Sequence, residues 1–219
     1  GPRDFSRTIP ALVPDYVSGW SFNTVTPSLY NALKGDPRFD ATIVDLLALK
    51  AAGVADYAPG DQDTGYFLKK FMPLNGDTSQ GGGAAALNYK QDTYAIRLAD
   101  TYLMLAEAQI GLGNKQAAAD ALNMVRRRAA WAGKQSAMEI TASQATFDFM
   151  VEERARELVG EQTRWMDLKR WGILVDRVKK YNPQAASNIK DIHNVRPIPQ
   201  TQIDRTEGGN TAFPQNAGY

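Results

Sequence analysis

Glu152-Glu153-Arg154-Ala155-Arg156-Glu157-Leu158-Val159-Gly160-Glu161-Gln162-Thr163-Arg164-Trp165-Met166-Asp167-Leu168-Lys169-Arg170-Trp171-Gly172 is the densest signal in the chain. Glu153, Glu157 and Glu161 recur every four residues, so a continuous helix would set all three carboxylates on one face. Like charges so placed repel by about 0.2–0.5 kcal/mol per pair. Arg154, Arg164 and Arg170 can offset that repulsion as bidentate partners from a facing helix. Trp165, Leu168 and Trp171 fan over one side of the second half, an apolar face beside a charged one, and the two tryptophans are expected as core anchors. Acids alternating with arginine on amphipathic helices predict an inter-helix ion network of Glu153, Arg154, Glu157, Glu161, Arg164, Asp167 and Arg170. Glycoside hydrolysis would instead need two carboxylates about 5 to 10 Å apart across an open cleft.

Working outward from this stretch, Thr141 and Gln144 form a capping-box pattern ahead of a helix expected to reach residue 159. After Gly160 a further helix is expected over residues 162–181, with Pro183 ending the pattern. Upstream, Ile96, Ala99, Tyr102, Leu103, Ala106 and Ile110 recur at spacings of three and four, the mark of a helix with one buried face. Asp92 or Thr93 is its expected cap, and Gly111 and Gly113 stop it. A second helix over residues 115–131 buries Ala118, Leu122 and Val125 and carries Arg126-Arg127-Arg128 near its C-terminus, where cations suit the helix dipole. Together, Tyr102, Leu105, Ala106, Gln109, Gly113, Ala118, Leu122 and Val125 fit the large-and-small pattern of a tetratricopeptide-type helix pair. Such units need about three stacked copies to bury their faces. No second clear copy is visible, so either the other helices close the layer or stacking partners lie outside this chain.

Residues 3–92 are rich in turn formers and broken by six prolines, from Pro10 to Pro73, which exclude long helices. A short one is expected over residues 28–34, capped by Thr26 with Pro27 at its first position and ended by Gly35. Residues 66–71 read as a short extended run, and residues 75–86, with Gly81-Gly82-Gly83, as a flexible connection. The expected fold is mainly α: repeat-like helix pairs within one domain over residues 1–219, comprising a loop-rich segment (1–92), a helical core (93–181) and an extended tail (182–219). Gly1-Pro2 reads as a tag-cleavage scar or an arbitrary cut.

Composition excludes several chemistries. Of 219 residues, 25 are Lys or Arg and 24 Asp or Glu, a net charge of +1 that argues against a dedicated nucleic-acid binder. With no cysteine there are no disulfides, thiol nucleophiles or thiolate metal sites, and with one histidine no multi-histidine metal site. No P-loop, dinucleotide fingerprint, G-x-S-x-G, H-E-x-x-H or EF-hand loop occurs, so no cofactor, metal or catalytic residue is expected. His193, in a proline-flanked tail, is expected as a packing or surface residue.

The opening stretch closely resembles the C-terminal signature of the SusD/RagB family, roughly E-R-x-x-E-L-x-x-E-x-x-R-W-x-D-L-x-R-W-G. Further resemblances follow in the same order: Gly19-Trp20 with Pro27, Asp36-Pro37-Arg38-Phe39, and Thr64-Gly65-Tyr66-Phe67-Leu68-Lys69-Lys70. Ile96-Arg97-Leu98-Ala99-Asp100, Leu122-Asn123 with Val125-Arg126, Pro197-Ile198-Pro199 and the closing Gln215-Asn216-Ala217-Gly218-Tyr219 continue it. Departures are Ala217, where the family usually has proline, and Met166, where it often has an aromatic.

What the resemblance implies is the C-terminal portion of a surface-exposed glycan-binding lipoprotein of an outer membrane. It implies a non-catalytic subunit that takes up oligosaccharide and passes it to a SusC-like TonB-dependent transporter, with membrane attachment only through a lipid anchor expected in a preceding N-terminal part. Sugar recognition needs flat aromatic faces for C–H surfaces and amides for hydroxyls. Asp15-Tyr16-Val17-Ser18-Gly19-Trp20-Ser21-Phe22-Asn23 has that composition in a turn-rich setting, which makes Tyr16, Trp20 and Asn23 the first ligand-binding candidates, ahead of Tyr57 and Trp131. Two other readings stay open: a repeat-type protein- or peptide-binding adaptor, resting on the helix pair, and a glycoside hydrolase, resting on Glu157 and Glu161.

Overall fold

A computed structural model describes residues 2–60, 63–77, 88–92 and 94–219; Gly81-Gly82-Gly83 and Thr93 lie outside the described residues. The chain packs as two compact units, residues 1–164 and 165–219. The architecture is mainly helical, as the sequence predicts.

The first part of the larger unit runs β1 (Asp4–Arg7), α1 (Pro27–Leu33), α2 (Phe39–Thr42), β2 (Ile43–Asp45), α3 (Leu46–Ala51), β3 (Ala55–Ala58) and β4 (Tyr66–Leu68). β1 pairs antiparallel with β3, Phe5 opposite Tyr57, and β2 with β4, Val44 opposite Phe67. Two-stranded ladders are marginal alone. Here both turn apolar residues into one cluster of Val13, Tyr16, Val44, Leu46, Ala55, Tyr57, Phe67 and Met72. α1 begins as its sequence predicts: the Thr26 hydroxyl accepts the Leu29 N–H at 3.3 Å with Pro27 in the first turn. The expected run at residues 66–71 is extended only through Leu68 and then closes into a 3-10 turn, Lys69–Phe71.

The helical part comprises α4 (Leu98–Gly111), α5 (Lys115–Ala129), α6 (Gln135–Met138) and α7 (Phe147–Glu157). Ala99, Leu103 and Ala106 on α4 and Ala118, Ala119, Leu122 and Val125 on α5 are buried; the small side chains let the two helices approach closely, and α7 packs on α4. Buried Asn123 ties α5 to the approach to α7: its Nδ2 donates to the Ile140 carbonyl at 2.9 Å and its Oδ1 accepts the Ile140 N–H at 2.8 Å. α4 starts later than expected, because Arg97 is extended (φ −137, ψ 156) and occupies the cap position. Ile96 accordingly lies off the helix and is 78 % exposed. The Thr141–Gln144 capping box forms, but on a 3-10 turn, Ala142–Gln144. The helix proper is capped by Thr146, whose hydroxyl accepts the Phe149 N–H at 3.2 Å. Opposite its buried face, α4 exposes Leu98, Thr101, Leu105, Ala108 and Leu112, again at spacings of three and four. α4 is therefore apolar on both sides.

α8 (Arg164–Arg170) opens at the unit boundary, followed by α9 (Leu174–Tyr181), α10 (Pro183–Ala186), a 3-10 turn Asp191–Asn194, α11 (Gln200–Arg205) and α12 (Gly209–Ala212). The single helix expected over 162–181 breaks at Gly172 (φ +69). There the Ile173 N–H reaches the Leu168 carbonyl at 3.0 Å and the Gly172 N–H reaches Lys169 at 2.9 Å, a Schellman closure that the missing Cβ permits. Nor is the tail extended. Pro183 starts a helical turn, with the Asn182 side chain accepting the Ala185 N–H at 3.3 Å. Side chains satisfy the proline-interrupted backbone in place of a ladder: Gln215 brackets Ile198 through both its carbonyl (2.7 Å) and its amide (2.8 Å), and the Asn216 amide donates to Arg196 O at 2.7 Å. His193 accepts the Lys190 N–H through Nδ1 at 2.8 Å and closes a turn. Trp165 is 37 % exposed and is no core anchor, since Leu168 and Leu174 take the buried positions. Trp171, half-buried, carries the Arg170 guanidinium 4.5 Å from its ring.

Gly160 (φ +77) lies against Leu68 and Phe71, and a Cβ there would overlap Leu68 Cδ2 and stand 3.1 Å from Phe71 Cε2. Gly160→Ala is expected to lower the unfolding free energy by about 1–3 kcal/mol. Urea titration checks this as a lower midpoint at unchanged slope.

Candidate functional site

Two features stand out: a buried ion network and an exposed aromatic pair. In the network, Glu153 and Glu157 lie one turn apart on α7. Glu153 accepts Arg38 Nη1 at 2.8 Å on one oxygen, and Arg126 Nη1 and Arg156 Nη2, both at 2.7 Å, on the other. Glu157 takes Arg38 Nη1 at 2.9 Å, Arg97 Nη1 at 2.7 Å and Arg128 Nη2 at 2.6 Å. Glu161, past the end of α7, is clasped by Arg97 (2.7 Å from Nη2) and by Lys70. Asp36 holds Arg38 from its other side through Nε at 2.8 Å and Nη2 at 2.7 Å. Four carboxylates thus face six cations drawn from the α1–α2 turn, the turn after β4, the cap of α4, and helices α5 and α7.

Of the expected members outside this cluster, Arg170 and Asp167 pair with each other, and Arg154 and Arg164 have partners besides the glutamates. Arg154 pairs with Asp100 Oδ1 at 2.8 Å, Arg164 donates to the Val151 carbonyl at 2.9 Å, and Arg170 pairs with Asp167 at 3.0 Å. Arg154 follows Glu153 directly, and successive residues on a helix face different ways. Apart from Arg156, three residues along α7 from Glu153, the cations that reach the glutamates come from distant segments, which spacing within one stretch does not reveal. Arg126 and Arg128, in the basic run, serve the inter-helix role; Arg127 pairs at the surface with Glu139 at 2.6 Å.

Burial alone pushes the Glu153 carboxyl up, but Arg38, Arg156 and Arg126 outweigh it and hold it below the ordinary carboxylate range. Glu161 is likewise raised by burial and brought lower overall by Arg97 and Lys70, and burial of Asp36 is overcome by Arg38. Arg38 itself is raised, desolvation being outweighed by Asp36 and Glu153. A glycosidase acid needs a raised pKa; that of Glu161 is lowered instead, and both Glu157 and Glu161 are taken up by guanidinium groups rather than facing an open cleft.

A carboxyl with a depressed folded pKa contributes stability that is present above its unfolded pKa and lost as pH falls through the folded one. Stability of the chain is therefore expected to hold level at neutral pH and to fall below the ordinary glutamate value of 4.5. Glu153→Gln leaves three guanidinium groups short of a partner and is expected to cost about 3–5 kcal/mol at pH 7 while flattening the acid limb. Urea midpoints measured across pH check both.

The aromatic pair is Trp20 and Phe22, 69 % and 83 % exposed, with ring centroids 6.2 Å apart and planes 21° from parallel. Asn23 is exposed beside them. Their loop is fastened to the residues preceding β1: the Gly19 N–H donates to Pro2 O at 2.7 Å, the Ser18 hydroxyl to Arg3 O at 3.0 Å, and the Arg3 N–H to Ser21 Oγ at 2.9 Å. Tyr16, grouped with them on composition, is only 6 % exposed. It packs 6.2 Å from Phe5, and burial pushes its phenol pKa up, so its ring offers no face to a sugar. Tyr57 is buried edge-on against Phe67, whereas Trp131 is exposed. Phe22 is the residue composition left unnamed. The signal for it was its place in the same turn-rich stretch, two residues after Trp20. Among the described residues no group of three or more His, Cys, Asp or Glu side chains is placed to hold a metal ion, and no helix is long and apolar enough to cross a membrane.

Comparison with known proteins gives a consistent picture. The family model described as "SusD family" matches residues 7–219. A SusD-like protein of Formosa agariphila is 34% identical over 140 residues, which are 63% of this chain and 26% of that protein. Among solved structures, a laminarin-binding SusD-like protein shares 41% identity at a TM-score of 0.80, over 100% of this chain and 43% of its own. Surface glycan-binding protein A from Bacteroides thetaiotaomicron, in complex with laminarihexaose, shares 28% at a TM-score of 0.73, over 98% and 46%. The chain thus spans less than half the length of these structures and about a quarter of the curated relative. With the family model matched over nearly its whole length, the chain belongs to the SusD family.

Proposed function

We propose that this chain is part of a non-catalytic receptor for a neutral oligosaccharide, of which a laminarin-type glucan is the first candidate. Trp20 and Phe22 take the C–H faces of the sugar, and Asn23 hydrogen-bonds its hydroxyls. The observation that carries this reading is the exposed, near-parallel ring pair, an apolar surface open to solvent. The laminarin and laminarihexaose named for two similar structures support the substrate class. In the cell the protein delivers the glycan to a SusC-like TonB-dependent transporter at the outer membrane, where a lipid anchor holds it on the surface; family membership supports this part of the reading.

Calorimetric titration with laminarihexaose tests the binding. Trp20→Ala and Phe22→Ala are each expected to weaken it about tenfold, equivalent to about 1.4 kcal/mol. Arg127→Ala, at a surface ion pair, is expected to leave it unchanged. An undiminished affinity in Trp20→Ala would remove the aromatic pair from the site.

A second reading, a protein-binding adaptor, is favoured by the exposed apolar face of α4. Leu105→Glu separates the two: it abolishes capture of a protein partner if the adaptor reading holds and leaves laminarihexaose titration unaffected if the glycan reading holds.

A further inference from the structure

Ser21 stands between the two rings and has φ +56, one of two non-glycine residues with positive φ among the described residues. Left-handed backbone is uncommon for serine and persists only where surrounding contacts hold it. Those contacts are specific. Ser21 Oγ accepts the Arg3 N–H at 2.9 Å, and Ser18 Oγ donates to the Arg3 carbonyl at 3.0 Å, so two serines occupy both polar groups of one peptide residue. Arg3 immediately precedes β1, whose ladder with β3 begins at the Asp4–Ala58 pair. A continuous path therefore runs from the β1–β3 ladder through the Arg3 backbone to Ser21 and on to the residues either side of it. Among the described residues neither Trp20 nor Phe22 stacks on a third aromatic ring, so their mutual orientation rests on the backbone between them.

We propose that Ser21 is a positioning residue of the glycan site: its left-handed backbone, locked by the Arg3 N–H, presents Trp20 and Phe22 as one ready-made stacking surface. This rests on the glycan-binding reading above and adds that the surface is organised before the sugar arrives. A glucan then meets two rings already fixed in relation to each other, and loses less affinity to their ordering than it would on a floppy loop.

Three substitutions isolate the effect. Ser21→Val places a β-branched residue where it strains positive φ and removes the acceptor. Ser21→Ala removes the acceptor alone. Ser21→Asn keeps both a side-chain acceptor and tolerance of left-handed backbone. Ring-to-ring nuclear Overhauser effects between Trp20 and Phe22, measured without ligand, report the surface directly, and titration with laminarihexaose reports its use. Ser21→Val is expected to lose the ring contact and weaken binding about tenfold, Ser21→Ala to fall between, and Ser21→Asn to restore both. In a Trp20→Ala background Ser21→Val is expected to cost nothing further, a coupling that a merely structural role would not produce. Loss of the ring contact with unchanged affinity overturns the proposal, as does a retained ring contact in Ser21→Val. If the unaltered chain binds no laminarihexaose, the glycan reading fails by itself, and the ring contact still decides whether Ser21 sets the geometry.

Discussion

Taking a carboxylate out of water costs several kcal/mol, and Glu153 and Glu157 are both almost wholly buried. That cost is offset only if every oxygen finds a cation in good geometry, which makes the placing of Arg38, Arg97, Arg126, Arg128 and Arg156 a condition of the fold rather than an ornament on it. The loop-rich part and the helical part of the larger unit meet through this requirement. Arg38 with Asp36 anchors the α1–α2 turn to α7, while Lys70 with Arg97 holds the turn after β4 and the start of α4 to Glu161. Each part has its own apolar contacts, such as the cluster around Tyr57 and Phe67. Contacts of that kind favour burial without dictating register; hydrogen-bonded charges are directional and dictate it.

Much of this was legible. The charged stretch announced an ion network, the alanines of α4 and α5 a close helix pair, and Thr26-Pro27 a helix start. What the sequence could not show was which cations would arrive, because Arg38 and Arg97 reach α7 from far along the chain and no local periodicity records that meeting. Helix boundaries went astray for local reasons: Gly172 closes a turn where the hydrophobic pattern carries on, and Asn182 with Pro183 begins a helix where proline alone suggested an end. Composition also failed to separate Tyr16 from Trp20. Both lie in one turn-rich stretch, yet one ring fills the core and the other faces water.

The two charged and aromatic features share no residue. The network is centred on buried carboxylates, and the ring pair uses neutral surface on a loop fastened by hydrogen bonds to the Arg3 backbone. The exposed aromatic residues can therefore change without disturbing the clamp, consistent with a solved structure of similar architecture at 28% identity. It also explains why the most specific sequence motif says much about architecture and little about ligand.

The clamp has a kinetic side. Arg38 precedes Glu153 by 115 residues and Glu157 by 119, so joining them encloses more than half of the chain. Contacts of such separation form late, after local ones such as the α4–α5 pair. On a ribosome, the first part of the chain emerges with Asp36 and Arg38 paired only to each other. It stays unclamped until α7 is synthesised, held until then by its own two strand ladders within residues 4–68.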